Sequence, residues 1–346
     1  MLVVDDSALM RKVISDMLNE DPEIEVVGTA RDGYDAIKKI MELKPDVVTL
    51  DLEMPRLDGL NTLGYIMSET PLPVIMLSSY TREGAEATLK ALDYGAFDFV
   101  PKPSGPISLD IRKVKEELIK KIKAAYKADL SRLKFLLPRE GKRVKRVEKP
   151  APTKVKIAVA IGSSTGGPRA LQEVIPKLPS DIKAGILIVQ HMPPGFTKSL
   201  AERLDSLSSI SVKEAVEGDL LKEGLALIAP GDYHMIVSRS GYDVKIGLNQ
   251  DPPVWGVRPS VDVMMLSVAE IFRGKTVGVI LTGMGRDGAR GMRKIKEYGG
   301  ITIAEDKSTC VVFGMPKAAI DEGAADIVVP VNRIAEEIIK AVKKLR

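Results

Sequence analysis

In the first third of the chain, polar side chains that could bind a cation or a phosphoryl group follow directly after apolar, strand-like runs. Asp5 and Asp6 follow MLVV, Asp51 follows DVVTL, Ser78 follows PVIML and Lys102 follows FDFVP. Because the carboxyl ends of parallel strands open onto one crevice, we expect these side chains to lie close together. Carboxylates in one place raise each other's pKa, so the cluster predicts a hard divalent cation such as Mg²⁺ with oxygen ligands. With Lys102 as a second positive charge, such a pocket would stabilise a phosphoryl group transferred to an Asp carboxylate.

A serine in a glycine-rich turn is the second feature that could do chemistry. In VKIAVAIGSSTGGPRAL, the residues Gly162, Ser164 and Gly166 match G-x-S-x-G between an apolar strand and a helix that Pro168 would begin. The glycines permit a tight turn that exposes the hydroxyl above the helix N-terminus, where free N–H groups can stabilise an oxyanion. A phosphate-binding turn is the alternative, although neither a P-loop nor a G-x-G-x-x-G sequence is present. The pattern favours a nucleophilic serine.

A serine nucleophile needs a general base that titrates near neutrality, and the chain contains only two histidines. His191 directly follows the strand-like run AGILIVQ, so it is expected at the same sheet edge as Ser164. His234, in APGDYHM, lies past a turn and is the weaker candidate. His191 is therefore the predicted base.

A carboxylate that orients the imidazole should also follow a strand. Asp287 meets this condition, in the Gly-rich turn after KTVGVILTG, and Asp232 and Asp262 are its rivals. The alternative role for Asp287 is to cap the next helix. The resulting chain order of Ser, His and Asp differs from the Ser, Asp, His order of α/β-hydrolases, so an analogy with lipases is not supported.

Strand-like runs alternate with helical patterns on both sides of a basic segment, which predicts an α/β fold with parallel sheets. The helical pattern of residues 107–137 predicts that the last helix of the first half continues towards that segment. In the second half, residues 211–248 are typical of short antiparallel strands, so the second sheet is predicted to be mixed.

The basic charge of the chain is local. Residues 139–156 contain eight Lys or Arg and two Glu, a local net charge of +6, whereas the whole chain carries +4. This mixture of charge, Pro and Gly predicts a solvated linker and not the basic face of a nucleic-acid-binding domain.

The single cysteine, Cys310, excludes an intrachain disulfide. Asp5 and Asp6 lie where a signal peptide would be apolar, and no apolar run approaches the roughly 18 residues of a membrane span. A cytoplasmic protein without membrane insertion is expected. No function is predicted for Cys310 or Trp255.

The motifs VVDDS, TLDLEMPRLDG, MLSS and GAFDFVPKP resemble those of response-regulator receiver domains over about residues 1–125. The resemblance implies a flavodoxin-like fold with a five-stranded parallel sheet, and phosphorylation of Asp51 by a histidine kinase. Only MLVV precedes Asp5, so either the true start lies upstream or the first strand is frayed.

The same resemblance implies roles for the other residues of the cluster. Mg²⁺ would be bound by Asp6 and Asp51, by Asp5 through water and by the backbone carbonyl of Glu53. Ser78 and Lys102 would hold the phosphoryl group, and Phe99 matches the rotating aromatic switch.

The segments IGSSTGGPRAL, VQHMPPGFT, APGDYHM, RPSVDV and LTGMGRDGA together resemble the catalytic domain of the chemotaxis protein-glutamate methylesterases, the CheB family, over about residues 154–346. Residues 126–153 would then form a helix extension and basic linker. The resemblance implies Ser164 as nucleophile, His191 as base and Asp287 as its partner. Thr165 and Met284 are the implied oxyanion donors through their backbone N–H groups. The adjacent Ser163 introduces an ambiguity that the G-x-S-x-G spacing resolves in favour of Ser164.

The implied protein is a phosphorylation-regulated hydrolase with a doubly wound, mostly parallel α/β esterase domain. It would remove methyl esters from chemoreceptor glutamates and deamidate receptor glutamines, with a chemotaxis histidine kinase as phosphodonor and no cofactor for the esterase chemistry. The alternatives are a two-component regulator with a non-catalytic receptor- or DNA-binding output domain, and a serine hydrolase of small esters.

Overall fold

The computed structural model describes residues 1–102, 111–129 and 155–346. The chain divides into two compact units, Met1–Leu137 and Pro138–Arg346. Most of the predicted linker, residues 126–153, lies outside the described residues, so its conformation and the domain boundaries remain predictions. No described helix is both long and apolar enough to cross a bilayer.

The first unit alternates strands and helices and confirms the predicted α/β class. Its elements are β1 (Leu2–Val4), α1 (Ala8–Asn19), β2 (Gly28–Ala30), α2 (Gly33–Leu43), β3 (Val48–Asp51), α3 (Gly59–Glu69), β4 (Val74–Ser78), α4 (Arg82–Asp93), β5 (Asp98–Pro101) and α5 (Ile111–Tyr126). The strands form a parallel sheet in the order β2-β1-β3-β4-β5. The strand order reverses between β1 and β3, where ligands bind in such folds.

Side-chain caps fix the start of the first four helices. Ser7, Asp32, Asp58 and Thr81 each accept a hydrogen bond from the backbone N–H three residues further on. The caps place the positive ends of these helices at the carboxyl edge of the sheet.

One expectation for this unit is corrected. The first strand is not frayed, because the buried β1 pairs with β2 and β3 along its whole length. Helix α5 ends at Tyr126 and residues 127–129 are not helical, so the predicted helix extension towards the linker stays a prediction. Residues 130–137 lie outside the described ranges.

The second unit is also α/β. Its strands are β6 (Ala158–Ser163), β7 (Gly185–Gln190), β8 (Ser211–Glu214), β9 (Leu225–Ile228), β10 (His234–Ser240), β11 (Asp243–Asn249), β12 (Thr276–Ile280), β13 (Ile301–Glu305) and β14 (Ile327–Val329). Its helices are α6 (Gly167–Val174), α7 (Phe196–Leu207), α8 (Val261–Phe272), α9 (Ala289–Glu297), α10 (Met315–Asp321) and α11 (Val331–Leu345). Short 3₁₀ turns follow α6 and α8.

The expectation of a mixed second sheet is wrong. In the described part of the chain, seven strands pair in parallel in the order β14-β13-β12-β6-β7-β9-β8, and the antiparallel pair β10-β11 forms a separate sheet. Short apolar runs do not specify strand direction, and β8 joins β9 in parallel without an intervening helix. The strand order reverses between β6 and β12, so the crevice outside their carboxyl ends is the expected ligand site.

Candidate active sites

The carboxylate cluster of the first unit forms where the sequence predicted it. Ligand oxygens of Asp5, Asp6 and Asp51 all lie within 4.8 Å of one another. Lys102 Nζ lies 2.9 Å from Asp5 Oδ2 and 2.7 Å from Asp51 Oδ2. Three carboxylates with hard oxygen donors fit a divalent cation such as Mg²⁺, because one ammonium group does not balance their charge.

The environment of Asp51 differs from that of an ordinary surface carboxylate. Burial raises the pKa of Asp51 to about 6, although Lys102 opposes the rise. Burial also lowers the pKa of Lys102, but the contacts with Asp51 and Asp5 outweigh it and the net pKa is raised. The backbone N–H of Glu53 donates to Asp51 Oδ1 at 3.2 Å, which fixes the carboxylate orientation.

The structure places Ser78 and Phe99 near this edge but gives them other contacts. The buried Ser78 hydroxyl donates to the Gly84 carbonyl at 3.2 Å and accepts from Thr88 at 2.7 Å. Phe99 is buried in β5, with Lys121 Nζ 5.2 Å from its ring centre. The phosphoryl contact of Ser78 and the switch role of Phe99 therefore remain predictions.

The predicted nucleophile and base are neighbours at the carboxyl edge of the second sheet. Ser163 of β6 and Gln190 of β7 are register partners, so the following residues, Ser164 and His191, lie side by side. Gln190 donates to the carbonyls of Ser164 at 3.0 Å and His191 at 3.1 Å, and its Oε1 accepts from the Ser163 hydroxyl at 2.7 Å. Gln190 thus ties the two turns together, a role that the sequence did not reveal.

His191 also contacts the predicted carboxylate. Its Nε2 lies 2.9 Å from Asp287 Oδ2, and both side chains are largely buried. Within the described residues, the Ser164 hydroxyl makes no hydrogen bond to the His191 ring. Because Nε2 contacts Asp287, Nδ1 is the ring nitrogen that remains for the proton of Ser164.

The N-terminus of α8 holds the Asp287 carboxylate. Asp287 Oδ1 accepts from the Ser260 hydroxyl at 2.8 Å and from Asp262 N–H at 2.9 Å, and Oδ2 accepts from Val261 N–H at 2.7 Å. Burial would raise the pKa of Asp287, but the His191 contact and these donors together lower it below its usual value. Asp287 is therefore ionised, as the partner of a catalytic imidazole must be.

The rival residues have structural roles. Asp262 Oδ1 accepts from the N–H groups of Gly288 at 3.0 Å and Gly291 at 2.8 Å, at the start of α9. The half-buried Asp232 pairs with Arg258 at 2.6 Å. Neither carboxylate bonds to His191 among residues 155–346.

The predicted alternative for Asp287, capping the next helix, is wrong in that form. The N-cap of α9 is Gly288, which has no side chain to accept a bond. Instead, each helix start donates hydrogen bonds to an aspartate that belongs to the other helix. Asp287, which lies just before α9, accepts from N–H groups at the start of α8, and Asp262, in α8, accepts from N–H groups at the start of α9. We call this arrangement the crossed helix starts.

His234 supports the site indirectly. It is buried, its Nε2 lies 3.2 Å from the Pro252 carbonyl, and its Nδ1 accepts from Ser260 N–H at 3.1 Å. Both ring nitrogens are thereby occupied, so His234 serves to hold Ser260 and not as a base. Ser260 immediately precedes the apolar run VDVMM, so its position as the N-cap of α8 could have been inferred from the sequence.

Free backbone donors lie beside Ser164. Its own N–H donates to Thr282 carbonyl at 3.0 Å, whereas the N–H groups of Thr165 and Met284 donate to no described residue. A Cβ at Gly283 would lie 2.8 Å from that of Ser164, so only glycine permits this approach of the two turns. The arrangement can activate a serine and bind an oxyanion; the assignment of Thr165 and Met284 remains a prediction.

Replacing Asp262 with alanine is expected to lower the free energy of unfolding by about 1–3 kcal/mol, because two buried N–H groups would lose their acceptor. Urea denaturation of the full chain, followed by far-UV circular dichroism, measures the loss; the fluorescence of Trp255 is not a suitable probe, because its Nε1 donates to Asp262 Oδ2 at 2.8 Å. Asp243→Asn, at an exposed position of β11, is the matched control and should change stability by less than about 0.5 kcal/mol. Equal stabilities of all three proteins would contradict the capping role of Asp262.

Comparisons with known proteins cover both units. The family model described as CheB methylesterase matches residues 159–338, and the response regulator receiver domain model matches residues 1–112.

Related proteins match nearly end to end. A protein-glutamate methylesterase/protein-glutamine glutaminase of Pyrococcus abyssi is 55% identical, covering 100% of this chain and 94% of that protein. One of Thermotoga maritima is 50% identical, covering 99% of this chain and 98% of that protein. The crystal structure of the Thermotoga maritima CheB methylesterase catalytic domain is 54% identical, covers 54% of this chain and 99% of its own, and has a TM-score of 0.53.

Proposed function

The chain belongs to the family of CheB methylesterases with an N-terminal receiver domain, and from this membership we propose that Ser164, His191 and Asp287 are its catalytic triad. The observation that carries the proposal is the 2.9 Å contact between His191 Nε2 and Asp287 Oδ2 in the crevice that Ser164 borders. The low pKa of Asp287 supports its role as the ionised partner.

The enzyme is a protein-glutamate methylesterase and protein-glutamine glutaminase that acts in chemotaxis. Its substrates are methylated glutamates and glutamines of chemoreceptors. The alternative of a DNA-binding or otherwise non-catalytic output domain is not favoured. The proposal places the reaction in the cytoplasm, where a receptor and its kinase would meet the enzyme.

In the first half of the reaction, His191 Nδ1 accepts the hydroxyl proton while Ser164 attacks the γ-carbonyl carbon of the methyl ester. Asp287 stabilises the imidazolium that forms. The N–H groups of Thr165 and Met284 donate to the developing oxyanion. The intermediate collapses as His191 returns the proton to the methoxy oxygen, and methanol leaves.

In the second half, His191 deprotonates a water molecule that attacks the acyl carbon. Collapse of this intermediate breaks the bond to Ser164, which regains a proton from His191, and the receptor glutamate is released. The same steps on a glutamine side chain release ammonia. His191 accepts and returns every proton in these steps, with Ser164 as nucleophile and Asp287 as its charged partner, so the proposed chemistry needs no cofactor.

In the receiver unit, we propose Asp51 as the phosphoryl acceptor from a chemotaxis histidine kinase. Asp5, Asp6, Asp51 and the carbonyl of Glu53 would hold Mg²⁺, which would neutralise charge on the phosphoryl oxygens. Lys102 and Ser78 would contact the same oxygens, and Phe99 would respond to them. The 4.8 Å cluster of carboxylates with Lys102 beside it supports this assignment.

Methanol release from receptor membranes carrying methyl esters tests the function directly. The full chain should release methanol, and a small phosphodonor with Mg²⁺ should increase the rate. A soluble ester of similar carbonyl reactivity should be hydrolysed much more slowly. Rapid hydrolysis of the soluble ester without receptor demethylation would favour the small-ester hydrolase instead.

Asp51→Asn is expected to remove the stimulation by phosphodonor, because the amide cannot form the acyl phosphate. Its rate should equal that of the unphosphorylated wild type. Asp58→Asn is the matched control, since Asp58 caps α3 in the same unit and lies outside the cluster. Undiminished stimulation of Asp51→Asn would show that another residue accepts the phosphoryl group.

A further inference from the structure

Glu305 is a fully buried carboxylate at the carboxyl edge of the second sheet that the proposed reaction does not use. It ends β13, next to β12, and is 0% exposed. Burying a charged group costs free energy unless hydrogen bonds compensate it. A carboxylate retained in such a place, with only β12 between its strand and β6, which leads into the nucleophile turn, calls for an explanation.

The contacts of Glu305 point towards the site. Its Oε2 accepts from Thr282 N–H at 2.7 Å, and its Oε1 accepts from the Thr309 hydroxyl at 2.9 Å. Burial raises the pKa of Glu305 to about 7; the contacts with Thr282, Thr309 and Cys310 lower it, and the charge of Asp306 raises it. The bond from Thr282 N–H is the one that ties the carboxylate to the residues after β12, whereas the bond from Thr309 satisfies the second oxygen.

Thr282 connects Glu305 to the nucleophile turn. Its carbonyl accepts from Ser164 N–H at 3.0 Å, and its hydroxyl donates to the Thr165 carbonyl at 3.0 Å. Thr282 also begins the turn Thr282-Gly283-Met284, in which Gly283 touches Ser164. One residue therefore sets the backbone around the nucleophile and around both assigned oxyanion donors.

We propose that Glu305 is a positioning residue of the esterase, whose carboxylate acts through Thr282 to fix Ser164 and the N–H groups of Thr165 and Met284. The inference rests on the proposed function, because it presupposes Ser164 as nucleophile. Glu305 does not touch the substrate. Its position determines whether the Ser164 hydroxyl and the two backbone N–H donors reach the same carbonyl group of the substrate. A misplacement of about 1 Å can cost about 100-fold in rate.

Glu305→Ala is the principal test, in the full chain with phosphodonor and methylated receptor membranes. We expect kcat to fall about 100-fold and KM to stay within about threefold of the wild-type value, since the loss lies in the transition state. Glu305→Gln keeps an oxygen that can accept from Thr282 N–H and should restore kcat to within about tenfold of wild type.

Thr309→Val is the matched control, because it removes the other hydrogen-bond partner of Glu305 and leaves the Thr282 contact in place. It should lower the melting temperature but keep kcat within about threefold of wild type. Equal losses of kcat in Thr309→Val and Glu305→Ala would show that Glu305 only stabilises the fold and would overturn the proposal. A wild-type kcat in Glu305→Ala would overturn it as well.

A second readout does not depend on the receptor. The rate at which a fluorophosphonate labels Ser164 should fall at least about tenfold in Glu305→Ala and recover in Glu305→Gln, because phosphonylation uses the same nucleophile and oxyanion donors. Ser164→Ala, measured in parallel, separates the two hypotheses. If it keeps full activity, the proposed function fails; if it is inactive and Glu305→Ala matches wild type in both assays, only the role of Glu305 fails.

Discussion

Changing Ser164 to alanine is expected to lower kcat for methanol release from methylated receptor by roughly 10⁶-fold. The alanine enzyme cannot form the acyl intermediate. The oxyanion donors that remain can still bind the ester carbonyl, but without the nucleophile they supply only a small part of the rate enhancement. The receiver unit is untouched, so phosphorylation of Asp51 should proceed as in the wild type. Quench-flow or steady-state methanol assays on the full chain, with phosphodonor present, measure the difference.

Ser163→Ala is the matched control for this experiment. The Ser163 side chain is buried and donates to Gln190, which holds the turns after β6 and β7, so a loss of less than about tenfold is expected. The opposite result, a nearly inactive Ser163→Ala and an active Ser164→Ala, would assign the nucleophile to the neighbouring serine and refute the G-x-S-x-G assignment.

Asp287→Asn is expected to lower kcat by roughly 10⁴-fold. Asp287 accepts four hydrogen bonds, from His191, Ser260, Val261 and Asp262. An asparagine amide nitrogen would face one of these donors, so either the helix start loses an acceptor or His191 is turned to the wrong tautomer. The fluorophosphonate labelling rate and kcat should fall together.

The control for Asp287→Asn is Asp243→Asn, an exposed aspartate of β11 outside the triad that should leave kcat within about twofold of wild type. A kcat for Asp287→Asn within about tenfold of wild type would mean that another group orients the imidazole. The contact between His191 and Asp287 would then be incidental to the reaction.

The residues that the sequence identified are those that follow strands. Ser164, His191 and Asp287 each come after an apolar run, and the parallel sheet brings such positions to one edge. The same reasoning located Asp5, Asp51 and Lys102. The local pattern and the sheet topology are enough to locate these residues, because the course of the backbone, and not the packing of side chains, places them at the carboxyl edge of the sheet.

The supporting residues could not be predicted in this way. Gln190 and Glu305 lie within apolar strands, and the hydrogen bonds that connect them to Ser163, Ser164 and Thr282 reach 23 to 27 positions along the chain, which leaves no local pattern for these roles. The direction of β8 was misjudged for a related reason, since pairing across the sheet decides it. The short helix α10 escaped prediction because its seven residues span only two turns.

The crossed helix starts have a consequence for how this enzyme can change. Asp287 serves catalysis and at the same time completes α8, while Asp262 completes α9, the helix that Asp287 precedes. A substitution of Asp287 therefore alters turnover and the stability of α8 together, whereas a substitution of Asp262 alters the stability of the start of α9. Because Asp262 N–H also donates to Asp287 Oδ1, the stability losses of the two single variants are not expected to add up in a double variant.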